Sequence, residues 1–145
     1  MQLKRLNSDL SVSPQIEPSD IEKLAALGYR SIIGNRPDGE APDQPDWASI
    51  KAAATARGME AVHIPVVASQ ITDADIDKFR TAMEQSPKPI AAFCRTGTRS
   101  ALLWALVNAG NLTVDERISI AAAEGYDLTP FREQMASADL DGSHV

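Results

Sequence analysis

One cysteine in this sequence occupies a setting in which its thiol could act as a nucleophile. Cys94 directly follows the apolar run Pro89–Phe93 and begins the segment Cys94–Ser100, which reads CRTGTRS. A continuous apolar run of this length predicts a buried strand of a parallel sheet. Because open α/β folds bind ligands at the carboxyl ends of such strands, the strand would bring Cys94 to a ligand-binding edge.

The residues after Cys94 predict a loop that binds anions. A turn at Gly97 and the first turn of a helix point backbone N–H groups inward, and the helix start adds partial positive charge. Arg95 and Arg99 add two full positive charges, and these features together favour the thiolate over the thiol. The predicted catalytic residues are Cys94 and Arg99. The predicted anion-binding residues of the loop are Arg95, Thr96, Gly97, Thr98 and Ser100.

Two alternatives remain open within this loop. Cys94 could be a small buried apolar residue beside two solvated arginines. Ser100 could either donate its hydroxyl to the Cys94 thiolate or cap the following helix. The combination of a buried strand, a glycine turn and two flanking arginines favours a role for Cys94 as a nucleophile over a role as a buried apolar residue.

The loop resembles two known active-site loops. Cys-x-x-Gly-x-Arg-Ser after an apolar strand is similar to the loop of rhodanese-type sulfurtransferases. It is also similar to the phosphate-binding loop of the cysteine phosphatases, whose signature is Cys-x5-Arg. Here four residues separate Cys94 from Arg99, one fewer than in that signature. Phe93 stands where those phosphatases commonly have a histidine.

Further blocks extend the resemblance over most of the chain, roughly from Ser8 to Phe131. The blocks are VSPQ at 12–15, NRPDGE at 35–40, HIPV at 63–66, the Cys94 loop and AEGYDL at 123–128. Together they resemble the phosphatase-like domain family of the β-lactamase-hydrolase-like proteins. The resemblance implies a cysteine-phosphatase-like fold. Members of that family are described as phosphatases or as sulfurtransferases, so the resemblance leaves both activities open.

Three hypotheses for function follow from the loop. In the main prediction the protein is a thiol-dependent sulfurtransferase: Cys94 takes sulfane sulfur from a small-molecule donor, carries it as a persulfide and passes it to a thiol acceptor. In the alternative, the protein is a cysteine-dependent phosphatase, and Cys94 attacks a phosphate ester to form a phosphocysteine. In the third, the domain binds anions without catalysis, although such a domain would not need Cys94.

The phosphatase alternative requires an acid that protonates the leaving alcohol. Residues 66–71, which precede a predicted helix, contain no carboxylate. Asp73 is the nearest carboxylate, but its position also suits stabilisation of the helix N-terminus. Sulfur transfer needs no dedicated acid because sulfite and stabilised thiolates leave unaided. The missing carboxylate and the short loop therefore favour sulfur transfer in the prediction.

Other polar residues are predicted to line the pocket. Arg36, Asp38 and Glu40 follow a strand expected beside the Cys94 strand, and Arg36 is the preferred additional anchor for substrate. An exposed turn at Asp38-Gly39 is the alternative. His63 lies on another predicted strand, where a hydrogen-bonded core histidine is the alternative to a pocket residue.

Apolar runs and helical patterns alternate along the chain. They predict one α/β domain with a mainly parallel central sheet flanked by helices. Predicted strands lie at 10–12, 31–34, 61–66 and 89–93, and predicted helices begin near 18, 47, 72, 99, 113 and 131. The domain is predicted to span 1–138, and the polar residues 139–145 are predicted to form a flexible tail.

The composition argues against several classes of partner. The 145 residues carry a net charge of −6, which is a poor electrostatic match for nucleic acid or for an anionic membrane. One cysteine and two histidines do not make a zinc site, so no metal is expected, and one thiolate needs no other cofactor. No signal peptide or membrane span is recognisable, which predicts a cytoplasmic protein. The oligomeric state is left open.

Overall fold

A five-stranded sheet forms the centre of the fold. The computed structural model describes residues 1–142. Its strands are β1 (Lys4–Arg5), β2 (Leu10–Ser13), β3 (Ser31–Gly34), β4 (Glu60–His63) and β5 (Ile90–Phe93). They lie in the order β1-β2-β5-β3-β4, with β1 antiparallel to β2 and all other pairs parallel. The predicted α/β class with a mainly parallel sheet is confirmed.

Helices connect the strands and cover the sheet. In the described part of the chain they are α1 (Pro18–Ala26), α2 (Trp47–Ala56), α3 (Asp73–Gln85), α4 (Thr98–Val107), α5 (Val114–Ala123) and α6 (Arg132–Gly142). Side chains at the N-caps Asp46, Thr72 and Thr113 each accept a hydrogen bond from the backbone N–H three residues later. These caps satisfy backbone donors that a helix start leaves unpaired, so they determine where α2, α3 and α5 begin.

The sheet is buried on both faces. Ile33 and Ala92 pack in one hydrophobic cluster with residues of α3, α4, α5 and α6. Ile32 and Ala91, their neighbours along the same strands, pack in a second cluster with residues of α1 and α2. Successive side chains of a strand point to opposite faces, so the two apolar clusters together account for the continuous apolar runs of β3 and β5.

Helix α4 is the most deeply buried helix segment. Its residues from Ser100 to Leu106 are all buried. Arg117 of α5 is fully buried as well, and its guanidinium donates to the Ala105 carbonyl oxygen at 2.7 Å and to both Asp139 carboxylate oxygens at 2.6 and 2.7 Å. The helix that follows Cys94 is thereby fixed to both α5 and α6.

The loops that follow β2, β3 and β5 are joined to one another at the carboxyl edge of the sheet. The backbone N–H of Gln15 donates to the Arg95 carbonyl oxygen at 3.2 Å, and that of Cys94 donates to the Ser13 carbonyl oxygen at 3.4 Å. On the other side of β5, the N–H of Asn35 donates to the Phe93 carbonyl oxygen at 2.8 Å. Three separate loops therefore surround the cysteine.

Three differences from the predicted elements are larger than one residue. Strand β1 has no predicted counterpart, and β4 ends at His63 rather than at Val66 because Pro65 lacks the N–H that would continue the ladder. The last helix continues to Gly142. The predicted tail, 139–145, overlaps the end of α6, and 143–145 lie outside the described residues, so its flexibility stays a prediction.

No helix within residues 1–142 combines the length and the apolar character that crossing a bilayer requires.

Candidate active site

The sulfur of Cys94 faces the backbone N–H of Gly97, the residue that precedes α4. Cys94 is fully buried, and its Sγ accepts a hydrogen bond from the Gly97 N–H at 3.0 Å. Gly97 is the N-cap of α4 and has φ +97°, a left-handed conformation that favours glycine. The turn thus places an amide donor and the start of a buried helix next to the sulfur.

Arg99 is held by two partners from other loops. Its Nη1 and Nη2 donate to the two carboxylate oxygens of Glu40 at 2.7 and 2.8 Å, and Nη1 also donates to the Val66 carbonyl oxygen at 2.9 Å. Hydrogen bonding to Glu40 is the main cause that raises the pKa of Arg99, and the negative charge of Cys94 acts in the same direction. Arg99 is therefore a fixed cation next to the nucleophile.

Among the hydrogen bonds of the described residues, those of Arg99 leave one edge of its guanidinium for an anion. A guanidinium has five N–H donors, and the contacts with Glu40 and Val66 use both donors of Nη1 and one of Nη2. The remaining donors, Nε–H and the second Nη2–H, lie on the same edge of the group. This edge can bind two oxygens of a phosphoryl group in the bidentate geometry that arginine forms with oxyanions.

Glu40 also holds a second arginine. Arg36 is buried, and its Nε donates to Glu40 Oε1 at 3.0 Å while its Nη1 donates to Gln15 Oε1 at 3.0 Å. Glu40 has a pKa of about 2, below its usual range, mainly because Arg99 donates to its carboxylate; Arg36 adds to the effect and burial opposes it. The predicted substrate anchor Arg36 is thus engaged by Glu40 and Gln15.

Ser100 does not donate to the Cys94 sulfur. Its Oγ donates to Asn35 Oδ1 at 2.8 Å, and both residues are fully buried. The Asn35 side-chain amide in turn donates to the Ile64 carbonyl oxygen at 2.9 Å. These bonds link α4 to the segments that follow β3 and β4, so Ser100 positions the loop.

His63 and Asp38 hold the loop around Arg36. His63 Nε2 lies 3.1 Å from the Arg36 carbonyl oxygen, and its ring stacks on Trp47 with centroids 4.8 Å apart. Asp38 Oδ1 accepts the Trp47 N–H at 2.9 Å. Both residues thereby fix the segment 35–47, and a role of either in a substrate pocket stays a prediction.

The remaining loop residues lie at its outer rim. Arg95 and Thr96 are exposed, and the Thr96 hydroxyl donates to Thr98 Oγ1 at 3.1 Å. Arg95 meets the neighbouring loop through its carbonyl oxygen, which accepts the Gln15 N–H. Its side chain is exposed, and a contact of that side chain with an anion stays a prediction.

Asp73 is the first residue of α3 and is exposed. The reciprocal capping bonds of this helix are made by Thr72 and Asp75. The segment before Asp73 begins at Val66, whose carbonyl oxygen contacts Arg99. Capping therefore does not occupy the Asp73 carboxylate, and the loop that leads to it borders the site.

Sequence reasoning did not identify several residues of the site. Gln15, Asn35 and the Val66 carbonyl received no role, and Glu40 was grouped with the pocket loop without its contact to Arg99. Tyr126, which packs against Gly97, was also missed. The available signal for Glu40 was its place on the same predicted pocket loop as Arg36, because a buried arginine requires a nearby anion.

No group of three or more potential metal-ligating side chains occurs among the residues that the structure describes.

Comparisons with known proteins point to one family. Residues 2–111 match the sequence profile described as the beta-lactamase hydrolase-like protein, phosphatase-like domain. A Beta-lactamase hydrolase-like protein of Xylella fastidiosa is 37% identical over 130 residues, which is 88% of this chain and 30% of the relative. The chain therefore spans less than a third of the length of the curated relatives that it matches.

Solved structures share the fold. A protein from Neisseria meningitidis, provisionally described as a phosphatase, has a TM-score of 0.88 and 41% identity over 95% of this chain and 99% of its own. The catalytic core of the PP-IP phosphatase SIW14 from S. cerevisiae has a TM-score of 0.64 and 14% identity over 94% and 91% of the two chains. The SIW14 likeness shows the fold alone, whereas the family description and the protein from Neisseria meningitidis support the phosphatase alternative rather than the sulfurtransferase that was the main prediction.

Proposed function

The chain belongs to the family of the phosphatase-like domain of beta-lactamase hydrolase-like proteins, and we propose that it is a cysteine-dependent phosphatase that hydrolyses phosphate monoesters. The observation that carries the proposal is the arrangement around Cys94. A buried sulfur faces the Gly97 amide, and next to it Arg99 keeps one bidentate edge for a phosphoryl group. The sulfurtransferase hypothesis receives no support from the relatives.

The first step would be attack by the Cys94 thiolate on phosphorus. The S–P bond forms as the P–O bond to the leaving alcohol breaks, and the alcohol oxygen receives a proton from an acid. Negative charge on the phosphoryl oxygens meets the loop amides and the available edge of Arg99. Because these groups are already fixed in the folded chain, they stabilise the transition state without reorganisation.

The second step would be hydrolysis of the phosphocysteine. A water oxygen attacks phosphorus, the S–P bond breaks, and the electron pair of that bond returns to Cys94 as the thiolate. The water gives its proton to the carboxylate that acted as the acid, and inorganic phosphate is released. Arg99 and the loop amides bind the transferred group in both steps, so one anion site serves the complete cycle.

Asp73 is the carboxylate that we assign to the acid and base role. It is exposed at the start of α3, it is not used by the capping bonds of that helix, and the segment before it contacts Arg99 through the Val66 carbonyl oxygen. Movement of the segment 67–72 could bring its carboxylate over a bound ester. The third helix would then supply the proton while the Cys94 loop supplies the nucleophile.

The proposal is tested with p-nitrophenyl phosphate and an alkyl phosphate, comparing wild type with Cys94→Ser. We expect turnover by wild type and none by the variant, because a serine hydroxyl is not ionised at neutral pH. Rapid acid quench during turnover should trap one phosphoryl group on wild type only, visible by intact mass. Turnover that survives in Cys94→Ser would contradict a covalent mechanism.

A complementary experiment separates the two activities. Wild type is exposed to thiosulfate and its intact mass is measured. We expect no sulfur adduct on Cys94 and no transfer to cyanide. An adduct that cyanide removes, together with inert phosphate esters, would overturn the phosphatase proposal.

A further inference from the structure

Tyr126 covers one side of the Cys94 loop at its glycine. A β-carbon built on Gly97 would lie 2.2 Å from Tyr126 Oη and 2.7 Å from Cζ, so the phenol end occupies the space that any side chain at this position would need. The N–H of the same glycine donates to Cys94 Sγ at 3.0 Å. The tyrosine hydroxyl therefore lies against the residue that contacts the nucleophile.

The hydroxyl of Tyr126 retains its hydrogen-bonding capacity. Tyr126 is 9% exposed, and its ring belongs to the hydrophobic cluster below the loop. Among the described residues, Trp104 Nε1 is the one buried side-chain polar atom without a partner, and no hydrogen bond involves Tyr126 Oη. The phenol oxygen therefore keeps access to solvent, although the rest of the side chain is enclosed.

Burial and a nearby negative charge both keep the phenol of Tyr126 protonated. Burial raises the pKa of Tyr126 above its ordinary value, and the negative charge of Cys94 raises it further. At neutral pH the group is consequently an O–H donor and not a phenolate. A neutral donor can approach an anion beside the thiolate without adding a second negative charge.

We propose that Tyr126 contacts the substrate, and that its hydroxyl donates a hydrogen bond to an oxygen of the phosphoryl group held by the Cys94 loop. The inference rests on the proposed function and deepens it. Arg99 supplies a charged bidentate contact from one side, and Tyr126 supplies a neutral contact from the side of Gly97. The same donor would serve the phosphocysteine and the inorganic phosphate product.

The test measures binding of inorganic phosphate by calorimetry to wild type, Tyr126→Phe and Tyr29→Phe. Tyr29 precedes β3, and its Oη lies 2.6 Å from Ser11 Oγ, so Tyr29→Phe removes the same atom from a hydrogen bond away from the Cys94 loop. We expect Tyr126→Phe to weaken phosphate binding by about tenfold, as loss of a hydrogen bond to a charged group does. Tyr29→Phe should bind phosphate as wild type does. Equal affinities of wild type and Tyr126→Phe would overturn the inference.

A second measurement does not depend on the folding of Tyr126→Phe. In Tyr29→Phe the one tyrosine left is Tyr126, and its ionisation is followed by absorbance during an alkaline titration. Bound phosphate beside the phenol should move this ionisation to higher pH, because the anion disfavours the phenolate. An ionisation curve that saturating phosphate leaves unchanged would contradict the contact.

The inference and the proposed function fail in distinguishable ways. If Tyr126→Phe weakens phosphate binding but wild type hydrolyses no ester, the contact with Tyr126 is upheld and the phosphatase proposal is wrong. If wild type hydrolyses esters and Tyr126→Phe matches it in phosphate affinity and turnover, the phosphatase proposal is upheld and the contact is wrong.

Discussion

Glu40 places a carboxylate inside a site that is built to receive an anion. Its charge would oppose a phosphoryl group if it were not shared between two arginines. The carboxylate takes the Nη1 and Nη2 donors of Arg99 and leaves the edge that carries Nε. Glu40 therefore weakens the electrostatic attraction between the site and an anionic substrate, but it determines which edge of Arg99 the substrate meets.

Glu40→Gln tests this trade-off between charge and orientation. The amide keeps the size of the side chain but replaces a charge-assisted bidentate pair with a weaker contact. We expect kcat to fall by about tenfold or more because Arg99 is less well oriented, while phosphate binding is kept or strengthened. The matched control is Asp43→Asn, which makes the same change of charge at an exposed residue of the same loop. A wild-type kcat in Glu40→Gln would show that the carboxylate does not orient Arg99.

Glu40→Gln should also change how the free energy of unfolding depends on pH. The pKa of Glu40 is about 2 in the folded chain, against 4.5 for an ordinary glutamate. Since the folded pKa is the lower one, the contribution of Glu40 to the free energy of unfolding is present above the ordinary value and is lost as pH falls towards 2. The stability difference between wild type and Glu40→Gln should therefore be constant from pH 7 to 6 and shrink below pH 4.5. A difference that grows on acidification would contradict the ion pair.

At the scale of single residues, the sequence allowed prediction of site residues that lie within one continuous segment of the chain. Cys94, Gly97 and Arg99 were predictable because strand, turn and helix follow one another there. The partners Glu40 and Tyr126 were not, since Glu40 and Arg99 are 59 positions apart in the sequence and no local pattern indicates such a contact. Ser100 was placed in the correct loop, but its hydroxyl donates to Asn35.

At the scale of elements, the start of α3 carries the acid that the proposed mechanism needs. The capping bonds of the helix belong to Thr72 and Asp75. We expect Asp73→Asn to slow hydrolysis of alkyl phosphates by about a hundredfold, the usual minimum effect of a general acid. Hydrolysis of p-nitrophenyl phosphate should change little, because nitrophenolate leaves without protonation.

The control for Asp73 lies one turn further along the same helix. Asp77 is exposed and pairs with Arg80, so Asp77→Asn makes the same change without reaching the site. Steady-state rates of both variants with both esters separate a catalytic role from a general effect of charge. Equal losses with good and poor leaving groups in Asp73→Asn would remove Asp73 from the mechanism.

The elements themselves were largely predictable from periodicity. Buried strands β3 and β5 read as continuous apolar runs, and the capping residues Thr72 and Thr113 marked the starts of helices. Strand β1 was not predicted because its two exposed residues, Lys4 and Arg5, show no apolar alternation. Pairing with β2 orders them. Such pairing depends on tertiary structure and leaves no local signature.

At the scale of the whole molecule, the site is assembled from most of the chain. Gln15, Glu40, Val66, Cys94 and Tyr126 come from five segments that adjoin different strands and helices. Activity should therefore disappear together with the global fold: in urea, the midpoints of turnover and of far-ultraviolet circular dichroism should coincide. Loss of turnover well before loss of helical signal would show that the site opens locally while the fold persists.

The ion pair between Glu40 and Arg99 also limits how the Cys94 loop could be reused in protein engineering. Glu40, the partner of Arg99, lies on a different loop. Transplanting only the segment 94–100 into another scaffold would therefore leave Arg99 without the carboxylate that orients it. A transferable module would have to include 35–40 at the correct spacing from the neighbouring strand. The smallest portable unit of the Glu40–Arg99 ion pair is thus a pair of adjacent strands with the loops that follow them.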